Sequence, residues 1–167
     1  MSVTPAPRSG SAQPLVAAAL RVTLGVLFLS VWASNLHKGL YSTHGYQGLI
    51  HRYVDTGSAP EPWKALMRAV ADAAVVTSKA QLVTELAFGL FLLAGVATRL
   101  VALGAAFFLG SLWLSEIGVP HEWVWSLVFP TLVAFAVSLL SAGRAFGLDR
   151  WLLEREPLRR LPPWARG

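Results

Sequence analysis

One acid interrupts the apolar run "AQLVTELAFGLFLLAGVAT": Glu85. A carboxylate in hydrocarbon costs several kcal/mol unless it is paired or protonated. Arg21 and Lys38 bracket a second apolar run, "VTLGVLFLSVWASNLH", which would span about 24 Å as a helix. Lys38 matches Glu85 in depth, because the acid lies only about 7.5 Å along its own run. Arg21 falls near the opposite face, and both bases have side chains long enough to snorkel, one to each interface. Two readings of Glu85 stay open, an ion pair with Lys38 and a neutral, protonated acid. An intramembrane acid beside a base is what a quinone headgroup or a proton route would use. The catalytic candidates are therefore Glu85, Lys38 and Arg21, and the quinone-binding candidates are Arg21, Lys38, Glu85, Arg99 and Trp32.

A rival chemistry is offered by "NLHKGLYSTHGYQGLIHRYVD", where His37, His44 and His51 recur every seven residues. One continuous helix would stack the three imidazoles on a single face for a metal or a haem. Gly39, Gly45 and Gly48 argue against such a helix. They predict His37 at the end of a span, His44 in a loop and His51 on the polar face of a short helix. No acidic ligand stands at metal-site spacing. The expectation is no metal site and no covalently bound cofactor.

The elements that position these residues follow from hydropathy. The chain is 54% hydrophobic and only 14% charged, with a mean hydropathy of +0.53. Crossing ~30 Å of hydrocarbon takes about 20 helical residues. Four segments qualify, at about 15–36, 80–98, 100–118 and 123–142. Only Arg99 parts the middle two, predicting a tight helical hairpin with that arginine at its tip. The first outer loop, 37–79, carries two amphipathic patterns. Tyr46, Leu49, Ile50, Tyr53 and Val54 form one, and Trp63, Leu66, Met67, Val70 and Ala71 the other. The predicted fold class is all-α, an integral membrane four-helix bundle with short amphipathic helices in the first outer loop. Small residues every four positions (Ala102, Ala106, Gly110; Ala134, Ser138, Ala142) predict close packing of the last two spans. Pro130 predicts a kink in the fourth.

Residues 1–14 read as a disordered tail, 15–148 as the membrane domain and 149–167 as a basic cytoplasmic tail. "AAA" at 17–19 precedes the first apolar run, whereas a signal-peptidase site follows one, so the run is read as a retained span. Arg8, Arg21, Arg99 and the six arginines from Arg144 to Arg166 fall on one side, and Lys38, Arg52, Lys64, Arg68 and Lys79 on the other. Nine against five predicts both termini in the cytoplasm of a multi-pass inner-membrane protein. Trp32, Trp113, Trp123 and Trp125 then lie near the outer interface. The net charge of +5 reflects this anchoring rather than nucleic-acid binding. Without cysteine the chain can cycle no disulfide and hold no iron–sulfur cluster.

Three stretches together resemble the DoxX and DoxD family of small membrane proteins. "LRVTLGVLFLSVWASNLHKGL" is similar to its opening, with Arg, then Leu-Gly, then a closing Lys. "ELAFGLFLLAGVATRLVALG" resembles its second and third spans, with Glu, two glycines and a Thr-Arg turn. "SAGRAFGLDRWL" resembles the ending of the DoxD branch. The resemblance covers about residues 15–153 and implies a four-helix membrane protein with no cofactor of its own. It implies that Arg21, Lys38, Glu85 and Arg99 match recurring polar positions, and Gly143, Gly147 and Asp149 the ending. DoxD members are named for the membrane subunit of thiosulfate:quinone oxidoreductase, and DoxX members are linked to complexes handling thiol and oxidative stress. The leading expectation is a redox-complex subunit with other subunits, or further copies of itself, as partners in the bilayer. The alternatives are a non-catalytic anchor or scaffold and, with few helices for the task, a small-solute transporter.

Overall fold

In a computed structural model, residues 12–123, 125–140, 142 and 146–152 are described, and all regular structure among them is helical. The residues of the predicted tails at 1–11 and 153–167, and Gly143, lie outside them. The longest apolar run forms α1 (Ala12–His37). α2 (Thr43–Thr56) and α3 (Glu61–Asp72) follow as the amphipathic pair. α4 (Ala74–Ala94), α5 (Thr98–Glu116) and α6 (Trp125–Leu139) complete the bundle, and α7 (Asp149–Leu152) is one turn. α1, α4 and α5 are long and apolar enough to cross a membrane, and α6 is a shorter apolar helix.

In lipid, apolar surface alone gives helices no reason to associate, so close backbone approach must hold them. α1 packs along α4, and α5 along α6. A Cβ added to Gly89 would lie 2.5 Å from Leu29 Cδ2, and one on Gly25 2.9 Å from Leu93 Cγ. These two glycines therefore set the α1–α4 spacing. Between α5 and α6 the expected small-residue contact forms through Ala102, Ala106, Ala134 and Ala142, all buried, with Ala105 joining them. Gly110 and Ser138 are only partly covered. Leu24, Phe28, Leu92, Leu109 and Val137 fill the core between the four helices.

The structure moves several boundaries. α4 starts at Ala74 rather than near residue 80, with one residue between it and α3. Thr77 Oγ1 donates to the carbonyls of Val70 and Ala73 and ties that corner. The α4–α5 turn is Gly95–Ala97, where Gly95 (φ +67°) and Ala97 (φ +48°) take left-handed conformations. Arg99 therefore sits in the first turn of α5 and not at the hairpin tip. α6 has 15 residues against the twenty expected.

α2 also departs from expectation, because His44, Gly45 and Gly48 lie within it. Ser42 Oγ caps this helix by accepting from the amide of Gly45 at 3.1 Å. A Cβ at Gly45 would collide with the Gly39 carbonyl. That glycine permits a close turn instead of breaking a helix. His44 and His51 both project to solvent from α2, and His37 from the end of α1. Among the described residues no three His, Cys, Asp or Glu side chains group as metal ligands.

Candidate functional site at the lid end of the bundle

Twenty-one residues of α4 carry Glu85 near their midpoint, about 16 Å along the helix from Ala74. This is deeper than the sequence suggested, because α4 begins earlier. Glu85 is 1% exposed. Its Oε2 accepts from Tyr41 Oη at 2.5 Å and from Asn35 Nδ2 at 3.2 Å. Oε1 accepts from Gln81 Nε2 at 2.8 Å. Three donors converge on two oxygens, the partner set that a carboxylate takes.

The expected partner is not among them. Lys38 is exposed, and the salt bridges among the described residues are Arg52–Glu122 and Arg68–Glu61. The reason is a turn beyond the end of α1. Leu40 N bonds to Asn35 O, and Gly39 takes φ +71°. The chain then reverses, leaving Lys38 outside and carrying Tyr41 in, where it is 3% exposed. Lys79 Nζ donates to the Tyr41 carbonyl at 2.9 Å and fixes that reversal. Burial first, then the hydrogen bond and charge of Glu85, push the Tyr41 phenol well above the ordinary tyrosine value. It stays an O–H donor across the physiological range.

α2 and α3 form a lid over this end of the bundle. Tyr46, Ile50 and Val54 of α2 cluster with Ala71 of α3 and Ala74 at the start of α4. Trp63 Nε1 donates to Ser115 Oγ at 3.0 Å, and Tyr53 Oη to Glu116 Oε1 at 3.2 Å. Arg52 reaches Glu122 at 3.4 Å. The lid is thus latched to the end of α5 and the loop after it.

Two cavities flank Gln81 and Glu85. One, of about 50 Å³, lies under the lid and is walled by Tyr46, Tyr53, Gln81, Leu112 and Ser115 among others. The second, of about 80 Å³, lies between α1, α4, α5 and α6, with Glu85, Phe28, Phe108, Leu112 and Ser126 in its wall. Phe28, Phe88 and Phe108 pack as a triad with centroids 5.2–6.3 Å apart. Val31 and Ser126, which also line the second cavity, are exposed on α1 and α6. This cavity therefore reaches the outer surface of the bundle.

The other candidates divide. Arg21 is 1% exposed at the opposite end, where Nη1 donates to the carbonyls of Leu92 and Leu93 and Nη2 to that of Phe146. Arg99 lines a groove of about 280 Å³ with Leu100, Leu103, Phe135, Ser138 and Leu139, also away from the lid. Trp32 stands on α1 with its Nε1 enclosed and unbonded. Asp149 caps α5: Oδ1 accepts from Ala97 N at 2.6 Å and Oδ2 from Thr98 N at 2.9 Å. Leu148 N and Asp149 N bond in turn to the carbonyls of Ala94 and Gly95. The polar residues therefore form two separate centres, one at each end.

A family model described as "TQO small subunit DoxD" matches residues 16–158. The chain belongs to the DoxD family. No curated protein and no solved structure matches it. Of the residues that carried the resemblance in the sequence, Glu85 falls in the lid-end site and Arg21 with Asp149 in the other centre. Asn35, Tyr41 and Gln81 escaped the sequence reading. Gln81 alone had a signal, since it stands four residues before Glu85 on the same helical face.

Proposed function

We propose that this chain is the membrane subunit of a thiosulfate:quinone oxidoreductase-type complex and that quinone enters the cavity beside Glu85. The family membership supports the coarse role. One observation carries the finer reading: a fully buried carboxyl, held by neutral donors and not by a cation, forms part of the wall of an apolar cavity that reaches the outer surface of the bundle. Apolar and aromatic walls with a few placed polar groups suit a flat, lipid-soluble ring. Reduction of quinone consumes two electrons and two protons. The electrons derive from a partner that oxidises two thiosulfates to tetrathionate, because this chain has no cysteine to carry them. Glu85 receives a proton and passes it into the cavity, while Tyr41, Asn35 and Gln81 hold its carboxyl in place. Phe28 and Phe108 confine the ring, and Ser126 stands at the mouth.

In this reading α6 makes the fourth crossing, and the nine-to-five charge distribution puts both termini in the cytoplasm of an inner-membrane protein. A membrane-impermeant maleimide is expected to label Thr56→Cys in intact spheroplasts, since the native chain has no thiol. Labelling only after permeabilisation would invert this topology.

Filling the mouth of the cavity tests the quinone reading. Ser126→Trp is expected to lower thiosulfate-dependent reduction of decylubiquinone in membranes holding the whole complex by at least about tenfold, the scale of a misplaced reactant. Immunoblotting checks that the subunit level is normal. An unchanged rate at a normal level would remove the quinone from this cavity and leave the anchor as the better description.

A further inference from the structure

We propose that the cavity beneath the lid is a water-filled antechamber through which Glu85 exchanges protons with the aqueous phase on the lid side. The inference rests on the reading of Glu85 as the proton donor to quinone and adds the route by which it is recharged.

The first support is size and wall chemistry. A buried water needs roughly 10–15 Å³ of such space together with polar partners. The lid cavity offers about 50 Å³, and Tyr53, Ser115 and Gln81 are polar residues of its wall. The bundle cavity differs: Glu85 is the ionisable residue of its wall, and its other lining residues except Ser126 are apolar. The lid cavity also has Leu49, Ile50, Met67 and Leu112 in its wall, but it carries more polar groups than the bundle cavity does.

The second support is continuity. On the bundle side, Gln81 touches both the lid cavity and, through its 2.8 Å hydrogen bond, Glu85 Oε1. On the lid side, Tyr53 touches the cavity and bonds to Glu116 Oε1. Glu116 Oε2 is enclosed with no hydrogen-bond partner. A buried acceptor without a donor is costly, and a water molecule is the usual remedy; Glu116 stands one hydrogen bond beyond the cavity wall, through Tyr53. Leu112 belongs to the walls of both cavities. Leu112 and Gln81 thus form the partition between them, and because an amide does not itself relay a proton, exchange occurs when Gln81 releases Glu85 Oε1 to water from the lid cavity.

The third support is the seal on the opposite side. Between Glu85 and the far end of the bundle stand the Phe28–Phe88–Phe108 triad, Leu24, Leu92 and Leu109. These side chains offer no group that could relay a proton. The groups that could influence Glu85 belong instead to its own end. They are Asn35 and Lys38 from α1 and its end, Tyr41, Tyr46 from the lid, Lys79 and Gln81 from α4, Glu116 from α5 and Ser126 from α6. For each quinone reduced, two protons enter from lid-side water, and Glu85 returns each time to its starting state.

Native absence of cysteine allows a direct test. Ser115→Cys reports on the lid cavity and Leu127→Cys on the bundle cavity, each made singly in the full chain in membranes. The aqueous reagent is methanethiosulfonate ethylammonium, which reacts with thiolate and so requires water at the sulfur. Ser115→Cys is expected to react at least about tenfold faster than Leu127→Cys, and adding Leu49→Trp to fill the space should slow it by a similar factor. Equal rates at the two sites would overturn the antechamber. Leu49→Cys, also in the wall, gives the same readout if Ser115→Cys does not accumulate. A second arm concerns the proton. In the complex, the ratio of wild-type to Leu49→Trp decylubiquinone reduction should rise with pH as proton supply becomes limiting, and a constant ratio would overturn the route. Protection of Leu127→Cys from N-ethylmaleimide by decylubiquinone reports separately on the quinone reading. Its failure would sink that reading while the thiosulfonate rates still decide whether water fills the lid cavity.

Discussion

Glu85→Gln is expected to reduce thiosulfate-dependent quinone reduction about 10²- to 10⁴-fold, the range that general acid–base groups supply. The amide has nearly the volume of the acid, so the cavity beside it keeps its shape. What it loses is the ability to take up and release a proton. It also brings an NH₂ group towards donors from Asn35, Tyr41 and Gln81. One oxygen cannot satisfy all three, and a buried unpaired donor costs about 1–3 kcal/mol. Glu85→Gln therefore acts on fold and chemistry together, and a second variant must separate them. Tyr41→Phe removes the 2.5 Å donor but leaves the carboxyl. Its expected stability loss is about 1.5–3 kcal/mol, the usual worth of a hydrogen bond to a charged group. Its rate should fall far less than that of Glu85→Gln. Thermal unfolding in detergent measures the first quantity, and decylubiquinone reduction in membranes the second. Native rates in Glu85→Gln would end the proposed role. Equal rate losses in both variants would reduce Glu85 to a structural group.

Glu85 was legible in the sequence because an acid inside an apolar run cannot be neutral to the fold. Its partners were not, and the reason is instructive. Depth along two helices singled out Lys38, since the ion pair is the familiar remedy for a buried charge. Desolvating an ammonium is itself costly, however, and three neutral donors satisfy a carboxyl without that second penalty. They come from α1, the turn after it and α4. Only the reversal at Gly39 decides that Tyr41 and not Lys38 arrives. The amphipathic stripes announced the lid, but its latches to Ser115, Glu116 and Glu122 join residues about sixty apart. Boundaries were least legible where charge was taken as punctuation. Arg99 marked the hairpin in the sequence, yet Gly95 and Ala97 make the turn through their backbone angles. Likewise Lys79 hid the first turns of α4, because its ammonium reaches back to the Tyr41 carbonyl and the helix continues past it.

The largest expected stability effects lie at the other end of the bundle. Asp149 accepts two amides from the start of α5, where four N–H groups lack intrahelical partners. A negative charge there also complements the helix dipole. Loss of an N-terminal cap costs about 0.5–2 kcal/mol, and Asp149→Ala removes both of the acceptors that hold the start of α5. Arg21 in turn holds three carbonyls, two on α4 and one at Phe146, and so ties α1 to both the hairpin turn and the closing segment. Arg21→Met leaves those three carbonyls without their side-chain donor. Leaving a buried acceptor unsatisfied costs about 1–3 kcal/mol for each group. Arg21→Met is therefore expected to be the more damaging change. The double variant should be less unstable than the sum of the two, by about 0.5–3 kcal/mol, because both residues hold the same closing segment, Arg21 through the Phe146 carbonyl and Asp149 through the start of α5. Urea unfolding of the purified chain in mild detergent reads all three. Strict additivity would mean that the two residues act independently and that the Gly-Leu-Asp ending is a helix cap alone. Quinone chemistry provides the contrast: the Phe28–Phe88–Phe108 triad stands between the two centres. Asp149→Ala should accordingly lower the amount of folded subunit while each folded copy retains its rate, the reverse of the pattern expected for Glu85→Gln.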